Sequence, residues 1–319
     1  MTIAPGVIEL SSLASLAGEL RHRAGIDDVA EGGLLAPHTT WRVGGAADLL
    51  CTATSVDGLV AAVRLATVHG VLWRVLGRGS NVLVSDLGVE GLVILNRASH
   101  VSFDGAQARA DGGLLLSTLA NRAARAALAG MEWSAGIPGS VGGAVVSNAG
   151  AHGGCIGDRL CEVELLAPAG EPYWKSAQDL RLAYRHSRLR ENSTPREIVL
   201  RAVFNLLPDD AGAIRSRMDE FKSQRQSTQP LARASAGSVF KNPPGDSAAR
   251  LIDRAGLKGM CIGGATVSQK HANFVVTGSG ARAADVCRLI QAVRKRVHEQ
   301  FGVELMLEVQ PVGREAPGE

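Results

Sequence analysis

The sequence predicts an α+β fold in two or three domains, and three observations carry that prediction. Amphipathic helical segments and short apolar runs follow one another in mixed order along the chain. A loop-rich stretch from Gly136 to Gly154 interrupts the first two thirds. The pattern breaks again at Pro208-Asp209-Asp210, where a new helical periodicity starts, which places a domain boundary near residue 208. With 319 residues, 45% of them hydrophobic, the chain suffices for two or three domains with a sizeable core. That boundary sets a last unit, 209–319, apart from the rest.

The elements follow in order. Val56 to Gly70 places apolar residues at Leu59, Val60, Val63 and Val68, a helical pattern closed by glycine. VLWRVLG from Val71 reads as a strand, and the loop Gly77-Arg78-Gly79-Ser80-Asn81 leads into VLV and then GLVILN. Such a junction of small and amide residues after a strand is a usual place for a nucleotide contact. A plain turn remains the open alternative, because Val82 stands where the third glycine of the dinucleotide fingerprint would fall. Leu114 to Gly130 reads as an alanine-rich helix, and CEVELLAP and EIVLRAVFNL as strands. Between those strands lies the polar cluster Ala183-Tyr184-Arg185-His186-Ser187. Ile214, Met218, Phe221 and Arg225 recur at steps of three and four, which predicts a helix. The last third adds a short helix around Ala248 to Ala255, the strand ANFVVTG, and a long helix with Val286, Leu289, Ile290, Val293, Val297 and Phe301 on one face, stopped by Gly302. In an expected final strand, Val303, Leu305, Leu307 and Val309 share one face, and Glu304, Met306 and Glu308 the other. An ordinary solvated carboxylate would satisfy that position of Glu308 equally well.

Two segments carry chemistry. Gly136 to Gly154, GIPGSVGGAVVSNAGAHGG, has seven glycines in nineteen residues and no full charge at neutral pH. Bare backbone lets main-chain N–H groups approach a large polar ligand, and successive N–H groups turned to one side cradle anions. No Gly-Lys-Ser/Thr ending follows and the Gly-x-Gly-x-x-Gly spacing is absent, so a dinucleotide held in some other manner is the leading reading, against a tight turn that binds nothing. AGSVFKNP, Ala236 to Pro243, gathers a hydroxyl, an ammonium and a carboxamide within five residues. A capping serine beside a solvated lysine is its bland counterpart.

Composition excludes several classes. The net charge is +3 with basic residues scattered, the densest group, Arg288 to Arg296, lying in a helical pattern, so no nucleic-acid partner is expected. Five cysteines form neither a C-x-x-C pair nor a zinc set, which predicts reduced thiols, no metal site and a cytoplasmic location. No run of about 18 apolar residues and no signal-peptide pattern occurs, so neither membrane insertion nor export is expected.

With these segments in hand, the chain resembles the UDP-N-acetylenolpyruvoylglucosamine reductase (MurB) family from about His38 to Gly313. The marks are TTWRVGG at Thr39 to Gly45, VLGRGSNVLV at Val75 to Val84, the glycine-rich stretch, YRHS at Tyr184 to Ser187, Gln229-Pro230, AGSVFKNPPGD, GLKG at Gly256 to Gly259, IGGATVSQKHANFVV and LMLEV. The direct passage from the 190s into the last third resembles the shorter, second type of that family. The resemblance implies a three-domain flavoprotein of the vanillyl-alcohol-oxidase, or PCMH-type, FAD-binding fold with a C-terminal α+β substrate domain. Residues 1–95 and 96–208 would then be the two FAD-binding subdomains. It implies non-covalent FAD, with Arg42, Gly44, Gly45, Gly77, Gly79, Ser80, Asn81, Gly136, Pro138, Gly139, Ser140, Gly142 and Gly143 around it and no attachment at His152 or Cys155. NADPH would be the reductant, the partner a small nucleotide-sugar substrate, and the working form a monomer.

The same resemblance assigns the chemistry. Reducing an enolpyruvyl ether adds a hydride to the terminal vinyl carbon and leaves negative charge over the adjacent carbon and its carboxylate, which calls for preorganised positive charge and donors. By the family motifs, Arg185 polarises that carboxylate, Glu308 donates to the enolate, and Ser238 delivers the proton. Tyr184, Arg225, Lys241, Asn242 and His271 would line the substrate site. Met306, Thr277, Gln269 and His152 depart from residues common in the family, and none belongs to the Arg185, Ser238, Glu308 set.

Overall fold

Residues 10–168, 170–191 and 197–315 are described in a computed structural model of the protein. The first unit is a four-stranded sheet in the order Ile26–Glu31, Ala47–Ala53, Val89–Asn96, Trp73–Leu76. Val89–Asn96 runs parallel to both neighbours and is buried along nearly its whole length, as strands covered on both faces are. The helix Val56–Val68 covers one face, its N-terminus capped by Ser55, whose Oγ accepts from Gly58 N at 3.0 Å. Leu49, Leu59, Leu92 and Ile94 pack there with Leu16 and Leu20 of the helix Leu10–Arg21. The strand Val82–Val84 leaves this sheet and pairs in parallel with Gln310–Val312 from the far end of the chain.

The second unit is a five-stranded antiparallel sheet in the order Pro172–Ser176, Leu160–Leu166, Ile198–Asn205, Gln107–Asp111, Val101–Asp104. The expected helix Leu114–Gly130 is shorter, Leu116–Arg125. Ala127 takes φ 55°, which ends the helix, and Leu128–Ala129 turns to pair with Leu207–Pro208. The helix Ala211–Thr228 also differs from expectation in its allegiance. Ile214 and Met218 are buried in the same core as Phe204, Leu119 and Met131, so this helix packs on the second unit although it follows the proline break.

In the third unit the helices Ala248–Arg254 and Ala283–Phe301 pack beside a short antiparallel sheet, Cys261–Ile262, Ala265–Val267 and Val275–Thr277. Val286, Leu289, Ile290, Val293 and Val297 are buried as their spacing predicts, and Gly302 closes the helix at φ 68°. Trp41, fully buried, comes from the first unit yet belongs to this core. Its Nε1 donates to Val275 O at 2.7 Å, and Thr277 Oγ1 donates to Trp41 O at 2.6 Å. Asp86 accepts the N–H groups of Ala283 and Ala284 at 2.9 and 3.0 Å, so a carboxylate of the first unit caps the long helix of the third.

The expected final strand 303–309 is an extended segment with one bridge, Leu307 to Phe240, rather than a ladder strand. Its alternation survives: Leu305 and Val309 are buried, and Glu304 and Met306 are exposed. No helix among the described residues is long and apolar enough to cross a membrane, and no group of three or more metal-ligating side chains occurs among them.

Candidate active site

A cleft of about 2220 Å³ runs between the three units. Two loops form one wall. The loop after Trp73–Leu76 brings Gly77, Gly79, Ser80 and Asn81, and the glycine-rich stretch brings Gly136, Pro138, Gly139, Ser140, Gly142 and Gly143. Gly79 sits at φ 60° with the place of a Cβ only 2.1 Å from His38 O, so no other residue fits without moving backbone. Arg42, itself at φ 57°, also lines the cleft. Gly44 and Gly45 lie outside the lining and let the chain approach Val84 and Asp86 closely.

The wall offers hydrogen-bond capacity that the protein leaves unused. Among the described residues, the N–H groups of Arg78, Gly79, Ser80, Asn81, Gly139 and Ser140 make no hydrogen bond. Arg78 Nε, Arg225 Nε and Gln229 Oε1 are buried at the cleft without a partner. Val141 and Gly142, by contrast, spend their N–H groups on Leu114 O and Gly112 O at 2.9 and 2.8 Å, so the short helix Val141–Ser147 contributes little at its N-terminus. Arg78 and Arg97 stand close enough to hold Arg97's pKa below its ordinary value, burial being the larger cause. Bare amides beside two arginines fit a diphosphate, and the volume of the cleft has room for a dinucleotide.

The second half of the glycine-rich stretch lines the cleft through Val146, Ser147, Ala149, Gly150 and Ala151 and also holds the next loop. Gly150–Ala151 and Gly154–Cys155 form a tight hairpin, and Asn148 and Val146 anchor the next polar loop. Asn148 Nδ2 donates to Ala183 O at 2.9 Å, and Ser187 Oγ to Val146 O at 2.6 Å. Ala183 and His186 exchange both backbone hydrogen bonds at 3.1 Å, leaving Tyr184 and Arg185 at the corners of a two-residue turn. Arg185 takes φ 52°, a conformation that costs a residue with a Cβ about 1–3 kcal/mol. The turn aims its guanidinium inward: Nη2 donates to Gly150 O at 2.7 Å, and Nε lies 2.8 Å from Glu308 Oε1. That second contact is an ion pair whose N–H points off the oxygen rather than an aligned hydrogen bond.

Ser238 and Glu308 meet by backbone pairing. The segment 238–241 lies between two partners. Val239 N donates to Asn273 O at 2.9 Å on one side, while Glu308 N donates to Val239 O at 2.9 Å and Lys241 N to Met306 O at 2.9 Å on the other. The buried amide of Asn273 fixes Phe240 at both ends, accepting from its N at 3.0 Å and donating to its O at 2.8 Å. Ser238, Arg185 and Glu308 all line the cleft. Burial pushes the Glu308 carboxyl above the usual carboxylate range, and the charges of Arg185, Arg190 and Lys241 pull it back only in part.

The remaining expected residues surround this centre to different degrees. Arg225 lines the cleft, its Nε near Gly136. Lys241 is close enough to Arg190, Glu308 and Arg185 to feel their charges, and burial lowers its pKa. Asn242 Oδ1 accepts from Ala248 N at 3.1 Å, and Asn242 N donates to the Tyr184 hydroxyl at 3.4 Å. Tyr184 is exposed, with the Arg185 guanidinium 5.5 Å over its ring. His271 packs edge-on against Phe274, which lines the cleft, and burial lowers its pKa. Two residues were not foreseen. Asn273 was visible as an amide inside an apolar run, and Arg190 was one arginine of three in a short polar segment with nothing to single it out.

Fold and cleft together define a flavoprotein, and the family model for the FAD binding domain matches residues 47–175. A second family model, the C-terminal domain of UDP-N-acetylenolpyruvoylglucosamine reductase, matches residues 229–312. The chain is 43% identical to the UDP-N-acetylenolpyruvoylglucosamine reductase of Moorella thermoacetica over 94% of its own length and 98% of that protein. It is 40% identical to that of Bacillus subtilis, over 88% and 92%. The crystal structure of the reductase (MurB) from Thermus caldophilus superposes with a TM-score of 0.76 at 38% identity, covering 89% of this chain and 99% of that one. The chain belongs to the UDP-N-acetylenolpyruvoylglucosamine reductase family.

Proposed function

We propose that this protein performs the reaction its family is named for, the NADPH-dependent reduction of UDP-N-acetylglucosamine enolpyruvate to UDP-N-acetylmuramate in peptidoglycan precursor synthesis, through FAD held non-covalently in the cleft. The carrying observation is convergence: Arg185, Ser238 and Glu308, far apart in sequence, line the same cleft as the two loops with unused amides. Bound FAD supplies the hydride that the vinyl carbon of the substrate accepts. Arg185 holds positive charge against the substrate carboxylate, where negative charge accumulates. Glu308 keeps its proton to higher pH than an ordinary carboxylate and donates it as a hydrogen bond to the enolate oxygen. Ser238 transfers its hydroxyl proton to the adjoining carbon; the weak acid suffices because the enolate is strongly basic and the hydroxyl is held in place beforehand.

Arg225, Lys241 and Asn242 bind the anionic substrate groups, with Tyr184 and His271 as walls. NADPH enters first and leaves, and the nucleotide sugar takes the same place. The protein works as a monomer in the cytoplasm, and its five free cysteines fit that reducing location.

The test follows the two half-reactions. Under anaerobic conditions NADPH should bleach the flavin, and the enolpyruvyl substrate should restore the colour. Ser238→Ala should leave bleaching intact and slow the return of colour by about 10²–10⁴-fold. Equal loss in both halves would overturn the role of Ser238. Colour that returns only with oxygen would replace the reductase with an oxidase, and a chain unable to take up FAD would remove both.

A further inference from the structure

Arg190 lies at the seam between the two halves of the catalytic centre. It is half-buried, lines the cleft and belongs to the short turn Arg188–Arg190 that follows the Tyr184–Ser187 loop. Its guanidinium reaches two main-chain carbonyls 123 positions apart. Nη1 donates to Arg185 O at 3.3 Å, and Nη2 donates to Glu308 O, which also accepts from Asn81 Nδ2 at 3.2 Å. The first of these acceptors belongs to the residue held at positive φ, and the second to the residue whose carboxyl sits beside Arg185 Nε. No other side chain among the described residues donates to the main chain of both Arg185 and Glu308.

We propose that Arg190 is a positioning residue for the second half-reaction: one planar guanidinium ties the strained turn of Arg185 to the backbone of Glu308 and so sets the spacing of the two side chains that meet the substrate. A fork of fixed geometry suits this task, since its N–H groups point in directions that two carbonyls from different units can match at once. A lysine ammonium supplies the charge without that pair of directions. The inference rests on the roles proposed above for Arg185 and Glu308. It adds a second consequence, because the groups facing the Glu308 carboxyl are Arg185, Arg190 and Lys241, all cations. Removing one of the three lets the carboxyl hold its proton to still higher pH.

The experiment compares Arg190→Met and Arg190→Lys with the parent, each loaded with FAD, in separate stopped-flow half-reactions across pH. In Arg190→Met, bleaching by NADPH should stay within about 2-fold of the parent. The return of colour with the enolpyruvyl substrate should slow by about 10²-fold, the scale of a misplaced catalytic group. The alkaline fall in its rate should also move to higher pH. Arg190→Lys should keep the parental alkaline midpoint and remain slow. A second half-reaction at the parental rate in either variant, or equal loss in both halves with an unmoved pH profile, would overturn the proposal. Should Arg190→Met fail to fold, Arg190→Lys decides alone: slow with the parental midpoint supports it, and parental rate overturns it. A parent that does not regain colour with the substrate would instead sink the reading of the reaction itself.

Discussion

Glu308 shows how surroundings prepare a single residue for the role proposed for it. Its carboxyl is pushed up by burial and drawn down by three cations, and burial prevails. The sign has a direct consequence. With the ionisation raised, the protonated form proposed to donate to the enolate persists further toward neutral pH, and the second half-reaction should fall as pH rises through that value. Glu308→Gln, an amide donor that does not titrate, should slow the return of colour by about 10²–10³-fold and abolish the alkaline fall, while bleaching by NADPH stays unchanged. A steep alkaline limb persisting in that variant would assign the ionisation elsewhere. Arg185 makes the complementary case, since its positive φ is a local cost tolerated because Asn148, Ser187 and the exchanged bonds of Ala183 and His186 fix the turn around it.

At the scale of elements, the two glycine loops separate packing from binding. Gly79 has positive φ and a backbone carbonyl where its Cβ would be, whereas a Cβ on Gly139 would meet Ser80 Oγ at an ordinary 3.5 Å. Gly79→Ala should therefore lower the stability of the FAD-free protein by more than about 1 kcal/mol, as well as weaken FAD binding. Gly139→Ala should leave that stability within about 0.5 kcal/mol and weaken FAD binding alone, because its methyl enters the space between the unused amides. Thermal unfolding without FAD, paired with flavin fluorescence titration, distinguishes the two. The glycine-rich stretch combines both tasks: residues of both its halves line the cleft, and the second half also builds the hairpin from which Gly150 O receives Arg185.

Across the whole molecule, the third unit is fixed to the first by contacts that span the chain. Trp41 enters the third core, Asp86 caps the helix Ala283–Phe301, Val82–Val84 pairs with Gln310–Val312, and Arg314 bonds both oxygens of Asp48 at 2.8 and 2.7 Å. These contacts seat Ser238 and Glu308 in the cleft that the loop Gly77–Asn81 also lines. Trp41→Ala should cost about 3–5 kcal/mol and free the third unit to move. Heightened proteolysis beyond Thr228 and weakened flavin retention would report that release, and an unchanged unfolding midpoint would mean that the seating rests on the other contacts.

The amino-acid order alone was enough for the α+β class, for the helices whose apolar spacing is buried as expected, and for the two loops, because periodicity and glycine content are local properties. The motifs that matched a family also put Arg185, Ser238 and Glu308 forward as candidates, and the three line one cleft. Proximity was beyond its reach. That residues 303–309 run without a ladder, that Ala211–Thr228 packs on the second unit, and that Arg190 bridges Arg185 and Glu308 all follow from which distant segments lie side by side. Spacing along a chain carries no record of that, and only the packed structure brings a guanidinium within reach of carbonyls 123 residues apart.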